Sequence, residues 1–170
     1  NAWVRTTASA SSLGIPSNGP RTISLWIQAQ ENEMNDAVIY GMGNLSGNSG
    51  GNWTGWGLRN IWYNRISSFY NHQNVKNDFW SSTGDFGGTW KHIAHIYDGE
   101  RVKAYVDGLE VLNTLQTSIS TMSRIPLSFG YFDQNRTNWY ATNFVGLMDD
   151  FRVYNIALSQ SEIDQLYGNG

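Results

Sequence analysis

Short stretches in which apolar and polar residues alternate recur along the chain, and they constrain its fold more than any other feature. The alternation is clearest in TISLWIQ (residues 22–28), RVKAYV (101–106) and PLSFGY (126–131). A period of two is the repeat of a β-strand with one buried face. The dipeptides Asp98-Gly99 and Asp107-Gly108 flank RVKAYV and favour tight hairpin turns, because both residue types tolerate a positive φ. The pattern therefore predicts mainly β-strands.

One stretch near the C terminus has the signals of a helix instead. Ser159 and Glu162 have the spacing of a capping box, and Leu158 stands where it can pack against Ile163. Apolar residues then repeat at i, i+3 and i+4 from Ile163. We expect a short helix over residues 160–167 that docks on the strands.

The length of the chain and the number of strands together predict the architecture. A chain of 170 residues suffices for one domain with a sizeable core. Many short strands without alternating helices bury their apolar faces by packing two sheets together. We predict an all-β fold: a two-sheet antiparallel β-sandwich (jelly roll) with one short C-terminal helix, forming a single module over residues 1–170.

Charge and composition exclude several classes of protein. The net charge is -3, and only three of the 11 basic residues are lysines, so no basic stripe for a phosphate backbone is seen and no nucleic-acid partner is expected. No apolar run approaches the roughly 18 residues that span a bilayer, so no membrane insertion is expected. The chain contains no Cys, which excludes disulfides, thiolate zinc sites and a Cys nucleophile.

The motifs that would indicate an enzyme are incomplete. Residues 47–51 match the pattern G-x-S-x-G, but they lie in a Gly- and Asn-rich stretch without the strand-to-helix turn that this nucleophile needs. His92 and His95 are three apart on a predicted strand and should face opposite sides, which disfavours a His metal site. Glu31 and Glu33 lie in a polar stretch typical of a solvated turn and are poor candidates for paired catalytic acids.

Aromatic residues in loop-like stretches are the main candidates for ligand binding. Residues 41–57 are rich in Gly, Asn and Ser, and we predict a long loop there. Sugar rings stack their C–H faces on Trp and Tyr, while their hydroxyls pair with Arg and Asn. The candidate ligand-binding residues are Trp53, Trp56, Trp80, Arg136, Asn138, Trp139 and Tyr140. For each loop Trp, packing in the core or at its rim is the alternative.

Two adjacent acids, Asp149 and Asp150, lie in a predicted strand. Neighbouring residues of a strand face opposite sides, so only one of the two should point into the interior or toward a metal. The spacing alone allows either an edge-strand charge paired with Arg152 or a Ca²⁺ ligand.

Four blocks of the sequence, taken together, resemble a known family. They are TISLWI (22–27), TWKHIAHIYDG (89–99), VKAYVDGLEV (102–111) and FVGLMDDFRVYNIALSQSEIDQLY (144–167). Their order and spacing are similar to those of the concanavalin A-like, laminin G-like jelly-roll modules found in many extracellular bacterial and animal proteins. The last block carries the family's closing pattern: an aromatic, a Gly, an apolar residue, two acids, a strand ending in Tyr, and a capped helix.

The resemblance implies a metal, a context and a location. In such modules the first acid of the closing strand often serves a structural Ca²⁺, and Asp149 matches that position. The family usually opens with a strand that this chain lacks, and the first residue is Asn1 rather than Met. We therefore expect a module excised from a larger multimodular protein that is secreted or at the cell surface, with neighbouring modules as further partners.

The resemblance also bears on function. Enzymes of this superfamily resemble one another in a strand with acids at E-x-D-x-E spacing, and no such pattern occurs here. We predict a non-catalytic carbohydrate-binding module that recognises a polysaccharide or oligosaccharide through loop aromatics. The alternatives are an extracellular protein-binding adhesion module and a glycoside hydrolase or polysaccharide lyase domain. Trp26 and Trp90 lie in blocks where the family also has Trp, which favours packing roles for them.

Overall fold

The computed structural model describes residues 4–30, 37–44, 54–61, 65–72, 75–84, 88–119, 121, 126–130 and 142–169, with the backbone alone for parts of these strands. The elements in chain order are β1 (Val4–Ser9), β2 (Arg21–Ala29), β3 (Ala37–Asn44), β4 (Thr54–Ile61), β5 (Arg65–His72), β6 (Val75–Gly84), β7 (Trp90–Tyr97), β8 (Arg101–Val106), β9 (Leu109–Leu115), β10 (Pro126–Phe129), β11 (Thr142–Asn143), β12 (Gly146–Tyr154) and α1 (Gln160–Gly168).

Within this described part, the strands form two sheets. The larger sheet has the order β1-β10-β3-β4-β5-β6, with the two-residue β11 pairing in parallel with β3. The smaller sheet has the order β12-β2-β7-β8-β9 and is antiparallel throughout. The predicted β-sandwich with one short C-terminal helix is confirmed.

The core lies between the two sheets and is built by the alternation seen in the sequence. In β2, Ile23, Leu25 and Ile27 are fully buried, and they join one apolar cluster with residues of the larger sheet such as Ile39 and Leu58. Since successive residues of a strand face opposite sides, the residues between them in β2 point to the outer face of the smaller sheet. That outer face carries the groove described in the next section.

The hairpin turns fix the order of the smaller sheet. β7 and β8 are joined through Asp98, Gly99 and Glu100, and β8 and β9 through Asp107 and Gly108. Asp107 and Gly108 have φ values of 50° and 78°, so both central residues are left-handed, as a two-residue hairpin with the sheet's own twist requires. The two hairpins predicted on either side of residues 101–106 are therefore confirmed.

Helix α1 covers part of the outer face of the smaller sheet. The Glu162 carboxylate accepts a hydrogen bond from the N–H of Ser159 at 2.7 Å, which satisfies one donor at the start of the helix. Ile163 is buried in a second apolar cluster with Ala94, Ile96 and Tyr105, and Leu158 packs against the same cluster. This contact holds the helix beside β7 and β8.

The predicted long loop over residues 41–57 is wrong at both of its ends. Residues 41–44 belong to β3 and residues 54–57 to β4, and the two strands pair from Tyr40 opposite Leu58 to Asn44 opposite Thr54. Gly41 lies opposite Gly57, and Gly43 opposite Gly55. The glycines alternate with large buried residues, so the stretch has the period of a strand although its composition is typical of a loop.

Candidate functional site

An open groove of about 370 Å³ lies on the outer face of the smaller sheet, across β12, β2 and β7. Its lining includes Trp26, Trp90, Asp149 and Asp150. Asp149 stands opposite Trp26, and Trp26 stands opposite His92, so three neighbouring strands contribute to one row. The volume lies within the range of about 300–1,000 Å³ that is typical of ligand sites.

Two tryptophans provide the apolar surface of the groove. Trp90 is the first residue of β7 and is 40% exposed. Trp26 lies between Leu25 and Ile27, and because both of these face the core, its own ring faces outward. The ring of Trp26 stacks on Tyr167 of α1 with 6.0 Å between centroids and 30° between planes. The helix thus holds one wall of the groove in place.

A β-bulge in β12 gives the two acids different surroundings. The register shifts between Asp149 and Arg152, and Asp150 has a φ of 47°. The extra residue lets Phe151 pack against the core while both acids remain exposed. Neither acid points into the interior, so of the two expected orientations, into the interior or toward a metal, only the second is left.

The bulge also pairs only one of the acids with a cation. Arg152 donates from Nε to Oδ1 of Asp150 at 2.8 Å, and its Nη2 lies 2.6 Å from Oδ2. Asp149 instead accepts the N–H of Asp150 through Oδ1 at 2.7 Å. The ion pair predicted for one of these acids with Arg152 is thus made by Asp150. Within the described segments no second partner of the Asp149 carboxylate is seen, and it can accept further hydrogen bonds.

A serine and a histidine lie beside Trp26 but do not form a catalytic pair. Ser24 Oγ and His92 Nε2 are 2.9 Å apart, and both residues are buried. Burial lowers the pKa of His92, an effect that Asp107 and Asp150 partly offset, so the ring is neutral at neutral pH. His92 Nδ1 has no hydrogen-bond partner in the described chain, so the acid that orients a catalytic histidine is not seen there. Burial also shields this serine from a substrate.

The second histidine lies on the other side of the sheet, inside the core. His95 hydrogen-bonds to the Tyr40 hydroxyl through Nδ1 and to Ser68 Oγ through Nε2, the latter at 2.8 Å. Its ring also stacks on Trp56 at 4.1 Å between centroids. Burial lowers the pKa of His95 to about 3, so the ring stays neutral and links the two sheets. The prediction that His92 and His95 face opposite sides is confirmed.

Most of the predicted ligand-binding residues lie outside the part of the chain that can be described. Trp80 lies in β6 opposite Ser67, but its side chain is not described. The residues outside the described ranges are Trp53, Arg136, Asn138, Trp139 and Tyr140. Their roles stay predictions.

Trp56 requires a correction. It lies in β4 rather than in a loop, and its side chain is 0% exposed in the core between the sheets. The neighbouring glycines suggested an exposed loop, but in the strand they place Trp56 among the inward-facing residues. A fully buried indole cannot stack on a ligand, so Trp56 is a core residue.

The surroundings of Asp149 supply few of the oxygens that Ca²⁺ requires. This ion takes six to eight oxygen ligands. Asp149 and Asp150 are the carboxylates here, and Asp150 already holds the Arg152 guanidinium. No group of three His, Asp or Glu side chains placed to hold a metal occurs within the described ranges. These side chains alone do not complete the shell of a Ca²⁺ ion, so the ion predicted at Asp149 needs further oxygens, such as backbone carbonyls, and it stays a prediction.

Trp26 and Trp90 are the site residues that sequence reasoning assigned to packing. The signal for Trp26 was available, because the alternation that buries Ile23, Leu25 and Ile27 turns Trp26 outward. The signal for Trp90 was weaker, because this residue begins a strand. Only the pairing of Gln28 with Trp90 places the indole beside the groove.

The fold and the sequence together identify the family. A model of the family Laminin_G_3, described as concanavalin A-like lectin/glucanases superfamily, matches residues 1–164. The chain therefore belongs to the concanavalin A-like lectin/glucanases superfamily. No curated protein matches the sequence.

Several solved structures share the fold. Domain 4 of AbnA, a GH43 extracellular arabinanase from Geobacillus stearothermophilus in complex with arabinotriose, superposes with a TM-score of 0.67 at 22% identity, over 90% of this chain and 68% of that one. The binding domain of botulinum neurotoxin serotype G gives 0.72 at 18% identity, over 99% and 40%. A K499G mutant of the NanB sialidase from Streptococcus pneumoniae gives 0.71 at 16% identity, over 96% and 26%. At these identities the likeness shows the fold, and the chain spans well under half of the toxin and sialidase chains.

Proposed function

We propose that this domain is a non-catalytic carbohydrate-binding module and that its groove binds a sugar ring. The observation that carries the proposal is the exposed indole of Trp90 beside two surface carboxylates in one groove. An aromatic face offers the apolar C–H side of a sugar a stacking surface, and carboxylates accept hydrogen bonds from its hydroxyls. The groove thus combines the two contacts that a sugar requires.

The side chains of the groove are held in place before a ligand arrives. Trp90 begins β7 and Asp149 lies within β12, so their relative position is fixed by the register of the sheet. Trp26 is held by its stack on Tyr167, and Asp150 by its two contacts with Arg152. Prearranged side chains lose little conformational freedom when a ligand arrives.

The similar structures support carbohydrate binding in general rather than a particular ligand. The arabinanase domain was solved with arabinotriose, and for botulinum neurotoxin type C, another protein of this fold, cell entry depends on interaction with two ganglioside molecules. Most of the similar chains are binding domains, although some come from glycoside hydrolases. No helix within the described ranges is long and apolar enough to span a membrane. With an extracellular arabinanase among the neighbours, we extend the proposal to a module that acts outside the cell beside other modules.

The loop aromatics remain part of the proposal as a second contact surface. A polysaccharide is longer than one groove, so further stackers are expected along its path. The residues predicted for this surface are Trp53, Arg136, Asn138, Trp139 and Tyr140, together with Trp80, which lies in β6 rather than in a loop.

The test is retention on affinity gels that contain soluble polysaccharides, followed by thermal shift with the matching oligosaccharide. We expect at least one polysaccharide to retard the domain and to raise its melting temperature with ligand concentration. Trp90→Ala should weaken binding at least about tenfold, the effect typical of an anchoring Trp, and should change the melting temperature by only a few degrees. Leu115→Ala is the control, because Leu115 is exposed on β9. If a broad panel gives no retention, the carbohydrate proposal fails.

A protein-binding role is the second candidate, and one observation favours it. Leu147 of β12 is exposed and lies opposite Gln28, which in turn lies opposite Trp90, so an apolar residue flanks the indole on the same face. Exposed aromatic and aliphatic residues together are typical of protein interfaces. Leu147→Ala separates the two roles, because it should weaken a protein contact and leave sugar binding unchanged.

A further inference from the structure

The charged side chains around the groove differ in whether an opposite charge pairs with them. Arg152 is exposed, but it already makes two contacts with the Asp150 carboxylate. Lys91, the residue after Trp90, lies 2.8 Å from Asp107. In each of these two ion pairs, the positive charge is already balanced by the carboxylate of its partner. Within the described residues the carboxylate of Asp149 has no cationic side chain beside it, so in the metal-free domain the described part of the groove carries an excess of negative charge.

From this arrangement we infer that the groove selects uncharged sugars and excludes acidic ones such as uronic and sialic acids. The inference rests on the proposed function and adds the class of ligand to it. A neutral sugar brings hydroxyl donors, which match the acceptor-only oxygens of Asp149. An acidic sugar brings a second carboxylate, which is also acceptor-only and has the same charge.

The stacking surface strengthens this selection. An acidic sugar that lies on Trp90 brings its carboxylate into the groove that Asp149 also lines. Like charges at such separations repel, and the repulsion grows where the ligand displaces water from between them. Among the described residues beside the groove, the guanidinium that could recognise a sugar carboxylate is that of Arg152, and releasing it for this role leaves Asp150 without its ion pair.

Salt dependence follows from the same reasoning. Binding of an uncharged ligand through stacking and hydrogen bonds involves no net charge attraction that salt can screen. We expect affinity for a neutral oligosaccharide to change less than about twofold between 0.05 and 1 M NaCl, when the Debye length falls from roughly 14 to 3 Å. Binding of an acidic ligand through cations would instead weaken strongly over this range.

The experiment is a glycan array that contains neutral and acidic oligosaccharides on matched backbones, including galacturonan oligomers and their methyl esters. It is read in EDTA, so that no metal ion neutralises Asp149, with the wild-type domain, Trp90→Ala, Asp149→Asn and the control Glu100→Gln. Glu100 is exposed in the turn between β7 and β8, so the control removes one negative charge away from the groove. We expect every glycan whose binding falls with Trp90→Ala to be uncharged. Asp149→Asn should weaken that binding about tenfold. It should also reduce the difference in affinity between each acidic oligomer and its methyl ester. Glu100→Gln should have neither effect.

The outcomes distinguish the two proposals. Trp90-dependent binding of an acidic glycan, or binding of acid and ester with equal affinity, would overturn the selection proposed here while leaving carbohydrate binding intact. Sugar binding that Trp90→Ala leaves unchanged would move the site away from the groove and overturn this inference as well. A wild-type domain that binds no glycan at all would instead contradict the carbohydrate-binding function itself.

Discussion

Tryptophan residues of this chain have roles that depend on a single register position rather than on their surroundings in the sequence. Trp56 stands among glycines and is fully buried, whereas Trp90 stands in an apolar strand block and is 40% exposed. Composition suggests the opposite assignment for each. The difference arises because an indole at the inward position of a strand fills the core, and an indole at the end of a strand meets solvent.

The buried histidine allows a test at the scale of one residue. Burial lowers the pKa of His95 from 6.5 to about 3, so between these values the unfolded chain binds a proton that the folded chain does not. The contribution of His95 to the free energy of unfolding is therefore complete above about pH 6.5. Below that pH it falls by about 1.4 kcal/mol for each unit by which the pH decreases. We expect the ring resonances of His95 in NMR spectra of the folded domain to stay constant from pH 7.5 to 4.5.

A concurrent measurement of unfolding by urea completes this prediction. The free energy of unfolding should drop by about 2 kcal/mol between pH 7 and pH 5 from His95 alone. A resonance of His95 that titrates near pH 6.5 would show that the ring is solvated rather than held between the two sheets.

For the strands and the helix, the sequence predicts that an element is present better than it predicts what that element does in the fold. The alternation in residues 22–28 and the turn at Asp107 and Gly108 predicted β2 and the β8–β9 hairpin. The β3–β4 hairpin was missed because glycine, which is neither polar nor apolar, takes the alternate positions. The bulge in β12 was missed as well, since nothing in Asp149-Asp150 indicates an extra residue.

Helix α1 owes its position to one buried side chain, which gives a prediction at this scale. Ile163 is the buried residue of the helix and packs on Ala94, Ile96 and Tyr105. Ile163→Ala should lower the free energy of unfolding by about 2–4 kcal/mol, because it removes apolar area and leaves a cavity. Gln165→Ala, on the exposed side of the helix, is the matched control and should change it by less than about 0.5 kcal/mol.

Ligand binding extends this prediction. Ile163→Ala should also weaken sugar binding, because Tyr167 of the same helix stacks on Trp26 in the groove. Unfolding in urea and titration with the retained oligosaccharide measure the two effects. A variant that loses stability but binds as tightly as the wild type would show that the helix does not shape the groove.

At the scale of the whole molecule, the groove joins residues that are far apart in the sequence. Trp26, Trp90, Asp149 and Tyr167 meet only because β12, β2 and β7 are neighbours and α1 folds back over them. The fold was predictable because alternation and turns are local. The site was not, because it depends on strand order and register, which no local pattern contains.

The predicted Ca²⁺ ion depends on more of the molecule than Asp149, because the described carboxylates around this residue do not complete its oxygen shell. If the family's Ca²⁺ site is completed by other parts of the chain, added Ca²⁺ should raise the melting temperature and EDTA should lower it. Asp149→Asn should remove this response, while Asp164→Asn on α1 should keep it. A melting temperature that ignores both EDTA and Ca²⁺ would rule out a stabilising calcium ion.

The most direct test of the central claim is an NMR titration of the eight Trp indole N–H signals with an oligosaccharide from the polysaccharide that retains the domain. Single Trp→Phe variants assign the signals. We predict that the signals of Trp90 and Trp26 shift in proportion to occupancy, while the signal of Trp56, buried between the sheets, stays in place. Saturable binding with shifts confined to Trp53, Trp80 or Trp139, and none at Trp90 or Trp26, would contradict the assignment of the groove as the sugar-binding site.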